Sequence, residues 1–416
     1  MLGYCMTGSG KLQRIAAVGQ AFTPSTPVSK LDMLAGRWSQ LTDIVSAITA
    51  EGQHVGLYGE RGVGKTSLAN VLSELLVDIE GDEAPWAFAK INCTTQDTFL
   101  SVWRSVFRRL KVEVDEDDPQ AYTAEAIRTI LEELPRPAII VLDELDRLED
   151  DDSLTALADT IKTLSDHAVP STIVLVGVAH SIGGLVGEHA SIVRNLAQIQ
   201  MPRMSGPELR EILQKGCERA KLTATADAVD EIVTLSEGLP HYTHLLALHA
   251  GQRAVQEDRT EIQLSDVRAA IPVAVSRHTI VDAYQQATRS ARKDALFAEV
   301  LLACALAPKN ELGYFTSGSI RDPLEAIAGR RIEIPAFSNH LAQFLEPERG
   351  SVLQREGSPR KYFYRFADPI LQPYVILHGV SSGLITDEQR RRFQTAPKTP
   401  ELTPSVFETE PRQQLF

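Results

Sequence analysis

A short run of strand-forming residues, His54-Val55-Gly56-Leu57-Tyr58, feeds directly into Gly59-Glu60-Arg61-Gly62-Val63-Gly64-Lys65-Thr66. The helical run Thr66-Ser67-Leu68-Ala69-Asn70-Val71-Leu72-Ser73-Glu74-Leu75-Leu76 follows at once. Few folds accommodate strand, glycine turn and helix in that order. Successive backbone N–H groups converge on one point only where glycines remove the Cβ atoms that would crowd it, and the next helix aims its positive end at the same point. The segment therefore predicts a phosphate cradle made of the amides of residues 59–67. Lys65 would reach the β and γ phosphates, and Thr66 would offer its hydroxyl to Mg²⁺, which dehydrates reluctantly and keeps few protein ligands. A chain with this segment is expected to bind ATP or GTP, with ATP the nucleotide favoured here.

At 416 residues the chain is too long for one ordinary core, so two or three domains are expected, and 43% hydrophobic content is enough to fill them. No apolar run approaches the ~18 residues of a membrane span, and the N-terminus lacks a signal-peptide pattern. A cytoplasmic protein with no membrane partner is expected. The four cysteines, Cys5, Cys93, Cys217 and Cys304, are isolated from one another and from histidine clusters, which indicates neither a disulfide framework nor a zinc site. A net charge of -13 excludes wrapping nucleic acid over the whole surface, so any contact with DNA must be regional.

Residues 1–35 carry turn-forming composition, including Phe22-Thr23-Pro24-Ser25-Thr26-Pro27, and read as an extended N-terminal arm whose first fourteen residues are mobile. Residues 36–202 alternate apolar strand-like runs with amphipathic helices, the mark of a parallel sheet covered on both faces. Strands are expected at Ala87 to Cys93, Ala138 to Leu142, Thr172 to Val178 and Ala197 to Met201. Residues 203–278 read as a lid of four helices. Residues 279–384 open with a connecting helix, and three further helices followed by a hairpin then suggest a winged helix. Residues 385–416, with Arg390-Arg391-Arg392 and several prolines, read as a disordered tail.

The second part of a nucleotide site is an acidic pair at the end of a buried strand, and Ala138-Ile139-Ile140-Val141-Leu142-Asp143-Glu144 supplies it. Asp143 would hold Mg²⁺ through its water shell, and Glu144 would take a proton from the attacking water. The plainer alternative is that both carboxylates cap the helix that follows.

Together with Phe22-Thr23-Pro24, Gly36-Arg37, Ile91-Asn92-Cys93, Leu142-Asp143-Glu144-Leu145-Asp146 and the order of strands and lid helices, these motifs make the chain resemble AAA+ ATPases. More narrowly it is similar to their origin-recognition and initiator branch and to the neighbouring STAND signalling ATPases, over about residues 20–275 and more weakly to about 380. The resemblance implies that Arg37 contacts the base or ribose, although it also reads as a solvated arginine at a helix start. It places His180 at the sensor position after the fourth strand, where it would orient the attacking water or simply occupy a loop. It makes Arg194 a finger for a neighbouring subunit's nucleotide, or else a surface ion pair. It aligns Pro240 and His241 with a lid module in which Pro240 packs near the adenine and His241 near the β phosphate. A neutral imidazole in place of the arginine usual there implies slow hydrolysis.

Around the expected wing, Arg349, Arg355, Arg360, Lys361 and Arg365 interleave with Tyr362, Phe363 and Tyr364. Such a wing tracks phosphates, while the helix bearing Ser338-Asn339-His340 enters a groove; alternatively the aromatics pack a core and the arginines solvate a hairpin. Arg355, Arg360 and Lys361 are the candidate DNA contacts. The chain is thus expected to be an ATPase that forms a homo-oligomer on binding ATP. As a switch it would regulate an effector protein supplied in trans, of stress or antiphage type; as an initiator-like or transposition-regulator-like ATPase it would act on duplex DNA.

Overall fold

The computed structural model describes residues 8–77, 85–115, 118–178, 190–276, 280–290, 295–310, 313–358 and 361–394. The chain forms two compact units, residues 1–224 with 238–248 and residues 225–237 with 249–416.

The first unit is built on five parallel strands, β1 His54–Gly59, β2 Ala87–Asn92, β3 Ala138–Asp143, β4 Thr172–Val178 and β5 Leu196–Gln200. Their order across the sheet is β2-β3-β4-β1-β5. Strands buried on both faces read as unbroken apolar runs, and β3, Ala138-Ile139-Ile140-Val141-Leu142-Asp143, is buried at every position. In register, Leu57 of β1 lies between Val176 of β4 and Ile199 of β5.

Among the described residues up to 224 the α-helices are α1 Gly8–Ala21, α2 Trp38–Ile48, α3 Lys65–Val77, α4 Phe99–Leu110, α5 Ala124–Glu132, α6 Asp151–Asp166 and α7 Gly206–Ala220. On one face Trp103, Val106 and Phe107 of α4, Ile127 and Leu131 of α5 and Ile161 and Leu164 of α6 pack with Ile140, Leu142, Ile173 and Leu175. Local chemistry sets the helix starts. Thr98 and Ser101 form a reciprocal capping box at α4, and the Asp150 side chain accepts from Ser153 N at α6. Because β4 separates β1 from β3, the glycine loop and the acidic pair emerge on its two sides at the carboxyl ends of the strands. That is where open parallel sheets bind ligands.

The expected extended arm is corrected by the structure. Residues 8–21 form α1, which packs on α7, and Val18, Ala21 and Phe22 are fully buried. The propensity of Gly8-Ser9-Gly10 is poor, so this helix depends on its tertiary partner. Phe22 lies over Gly216 of α7, where a Cβ would stand 2.2 Å from Phe22 Cε1. Residues 23–37 then form a strap. Val28 N donates to Ser67 Oγ at 3.1 Å, Leu31 N to Glu74, and Gly36 N to Glu211 Oε2 at 2.8 Å, while Lys215 Nζ donates to Leu34 O.

The four lid helices form, α7 with α8 Ala226–Leu235, α9 Pro240–Gln256 and α10 Leu264–Ser276. They do not make one domain: α7 and the start of α9 belong to the first unit, α8 and α10 to the second. Two-residue strands occur at Thr223–Ala224 (β6) and Glu261–Ile262 (β7).

The second unit continues with α11 Val281–Thr288, α12 Phe297–Leu306, β8 Phe315–Thr316, α13 Ser317–Ala328, α14 Ile334–Gln343, β9 Leu353–Ser358, β10 Lys361–Phe366, α15 Leu371–Ser381 and α16 Asp387–Gln394. The antiparallel sheet runs β8-β10-β9. The expected disordered tail is also corrected in part. Residues 387–394 are helical, started by reciprocal bonds between Thr386 and Gln389, and Arg390 is completely buried. Arg390 Nη2 donates to Glu231 Oε1 at 2.5 Å, and Arg391 Nη2 to Glu231 Oε2 at 2.9 Å. Residues 395–416 lie outside the described residues.

Candidate nucleotide site

The loop from Gly59 to Lys65 joins β1 to α3. Gly64 adopts a φ of 99°, which an L side chain rarely takes. At Gly59 the constraint is space: a Cβ would lie 2.4 Å from Met201 O. Lys65 Nζ donates to Gly59 O at 2.9 Å and Glu60 O at 2.8 Å, closing the loop on itself. Burial lowers the Lys65 pKa to about 8, against the opposing pull of Asp146, Asp143 and Glu60.

Across β4, Asp143 is 2% exposed. Its Oδ1 accepts from Thr66 Oγ1 at 3.3 Å and from Glu144 N at 3.0 Å. The structure therefore brings the loop threonine and the strand-end aspartate into contact from 77 residues apart. Glu144 has a φ of 57°, and its Oε2 accepts from Arg147 Nη1 at 3.0 Å, in a pair whose side chains are both about half exposed. Asp146 takes a different part, its Oδ1 accepting from Val178 N at 2.7 Å, which ties the end of β4 to the turn after β3.

Arg37 is 5% exposed, and its guanidinium reaches the outside of the loop. Nη2 donates to Val63 O at 3.1 Å and Pro202 O at 2.7 Å, and Nη1 lies 3.8 Å from Glu208 Oε1. Burial lowers its pKa, with Glu208 opposing. Arg37, the residue expected at the base or ribose, here braces two backbone carbonyls. Glu60 makes a second brace, accepting from Arg203 Nε at 2.7 Å. Arg61 is exposed, Val63 is buried, and Ser67 Oγ is taken by the strap.

At the start of α9 the His241 ring bonds through Nδ1 to Pro24 O at 2.8 Å, so that nitrogen carries the proton. Three residues on, His244 Nδ1 accepts from Thr23 N at 3.3 Å. Burial lowers both pKa values, that of His244 to about 4. Pro240 opens the same helix. These histidines secure Thr23 and Pro24 of the strap to the lid helix.

Arg194 is exposed at the end of the short 3₁₀ turn Ala190–Asn195 that leads into edge strand β5. Among the described contacts none joins it to Lys65, Thr66, Asp143 or Glu144. His180 and Arg360 lie outside the described residues. Arg355 and Lys361 are exposed on β9 and β10.

Sequence reasoning missed four participants: Arg203, Asp146, His244 and Lys90. Lys90 Nζ lies 2.9 Å from Asp143 Oδ2. A lysine within an otherwise apolar strand is a signal that could have found it.

A family profile described as AAA domain matches residues 49–183, which span β1, the glycine loop, the acidic pair and β4. No match to a curated protein was found. Among solved structures, the ORC2 protein of Aeropyrum pernix is similar at 14% identity and a TM-score of 0.48, covering 88% of this chain and 98% of that one. Cdc6p of Pyrobaculum aerophilum is similar at 17% identity and 0.45, covering 88% and 99%. A chain of Drosophila ORC bound to DNA is similar at 17% and 0.48, covering 91% and 95%. Likenesses this distant carry no function. The family match falls on a formed glycine loop and an acidic strand end, so residues 49–183 of this chain are similar to an AAA domain.

Proposed function

We propose that the chain is an Mg-ATP-dependent assembly switch with slow hydrolysis, acting on a partner effector in trans. The observation that carries this reading is the contact of Thr66 Oγ1 with Asp143 Oδ1 at 3.3 Å, beside the Lys65 ammonium held in the loop. A hydroxyl and a carboxylate are hard oxygen donors suited to Mg²⁺, and Asp143 Oδ2 is buried without a hydrogen bond. Among the described residues no group of three His, Cys, Asp or Glu forms a cage for a metal, and an ion that relies on phosphates and water needs none. Bound there, Mg²⁺ would offset charge developing on the transferred phosphoryl group.

The chain's own residues then have separate tasks. The loop amides and Lys65 hold the phosphates, and Glu144 takes the proton of the attacking water. His180 orients that water, while Arg194 completes the site of a neighbouring subunit. Two features favour slow turnover. Position 241 carries an imidazole already bonded to Pro24 O, and Glu144 is engaged by Arg147. The exposure of Arg194 supports a role outside its own subunit. Light scattering on Glu144→Gln protein tests this reading. An oligomer with ATP, absent with ADP and lost with Arg194→Ala, is expected; a monomer with every nucleotide would overturn it.

A second reading, action on duplex DNA, is favoured by one observation. Arg355 and Lys361 project from a hairpin, with the Arg355 guanidinium 4.3 Å from the Tyr362 ring centroid, while Ser338 and Asn339 of α14 are exposed. Three phosphate contacts from Arg355, Arg360 and Lys361 would steepen the salt dependence of DNA affinity, each by about one unit of slope. A triple alanine variant with an unchanged slope would remove this reading.

A further inference from the structure

Strand β2, Ala87-Phe88-Ala89-Lys90-Ile91-Asn92, is apolar except for Lys90 and its final asparagine. The Lys90 side chain is only 18% exposed, and its ammonium is fixed from two sides. Nζ lies 2.9 Å from Asp143 Oδ2, an ion pair outside hydrogen-bond alignment, and it donates to Asn70 Oδ1 at 2.5 Å. Asn70 stands one turn beyond Thr66 on α3 and is itself anchored, its Nδ2 donating to Val28 O at 3.5 Å. Asp143 is therefore engaged at both oxygens, Oδ1 by Thr66 and the Glu144 amide, Oδ2 by Lys90.

A carboxylate facing an ammonium in a site sheltered from water is a poor ligand for a second cation, because the two positive charges repel across a few ångströms at low effective dielectric. The phosphates of a nucleotide bring several negative charges to the same place and reverse that balance. We infer that Lys90 is a positioning residue acting through Asp143: it occupies the metal-site carboxylate, so that a divalent cation is kept out of the nucleotide-free site and enters together with the nucleotide. This rests on the reading of Asp143 as the carboxylate that serves Mg²⁺. The ammonium also holds Asp143 between α3 and β2, which fixes the aspartate toward Thr66.

The test measures two bindings on the full chain: Mn²⁺ binding without nucleotide, by electron paramagnetic resonance, and the Mg²⁺ dependence of binding of a fluorescent ATP analogue. Lys90→Met should bind Mn²⁺ at least about tenfold more tightly than wild type and lower the Mg²⁺ half-saturation by a similar factor. Lys90→Arg, which keeps the charge, should behave as wild type. Analogue affinity in EDTA should agree within about threefold across all three proteins, which separates metal exclusion from loss of structure. Lys90→Gln, which can still bond Asn70, should show the same shift where Lys90→Met folds poorly. Equal metal dependence in wild type and both neutral variants overturns the inference, as does an arginine variant that shifts like methionine. Nucleotide binding in wild type that ignores Mg²⁺ and survives Asp143→Asn would instead remove the metal site itself, and the inference with it.

Discussion

Lys65 lives between two opposed demands, since phosphate binding needs its charge and burial disfavours it. With its pKa lowered from 10.5 to about 8, the side chain is protonated below pH 8 and gives up its proton above it. Bound phosphate favours the charged form, so above pH 8 binding takes up a proton, and affinity should fall by up to about tenfold per pH unit between 8 and 10.5. Titrating a fluorescent nucleotide from pH 6.5 to 9.5 checks this. A flat profile across pH 8 would show that the ammonium does not serve the phosphates. At this scale the residues legible in the sequence are those whose neighbours in the chain announce them: Lys65 and Thr66 within one glycine loop, Asp143 and Glu144 at the end of one apolar run. Arg203 and Lys90 find their partners 143 and 53 residues away, and no local pattern encodes a pairing at that distance. Arg37 was visible as a residue, but its brace on Val63 O and Pro202 O was not.

Among the elements, the sheet strands were readable because burial on both faces forces continuous apolar runs, and β4 falls on the residues its run predicts. Helices α1 and α16 were not readable, because each is held by a partner distant in the chain rather than by an apolar period of its own. Two substitutions test those partnerships by urea denaturation. Gly216→Val places a side chain where Phe22 already sits and should destabilise the first unit by about 1–3 kcal/mol. Arg390→Met takes from the buried Glu231 its fully buried partner and should cost about 3 kcal/mol, less if Arg391 compensates. Arg391→Ala removes a partner that is about half exposed and should cost under about 1 kcal/mol. Equal effects of the two arginine changes would mean that α16 is held by charge at the surface rather than by the buried pair.

For the whole molecule, the proposed completion of the site by a neighbour's Arg194 would make turnover a property of the assembly. Specific ATPase activity should then rise with protein concentration and saturate, and mixing in Arg194→Ala protein should depress it more than dilution does. Activity strictly proportional to concentration would place every catalytic group within one chain. Among the described residues no helix is long and apolar enough to cross a membrane. The strap also gives the molecule a history. Thr23 bonds to His244 and Pro24 to His241, across 221 and 217 positions of the chain. A ribosome adding ~5–20 residues per second needs about 10–40 s to cover that interval. During synthesis the phosphate loop is finished early and left uncovered, while the segment that will cross α3 waits for a helix not yet made. Thr23 and Pro24 therefore wait for α9, and a nascent chain carries its glycine loop well before that end of the strap is secured.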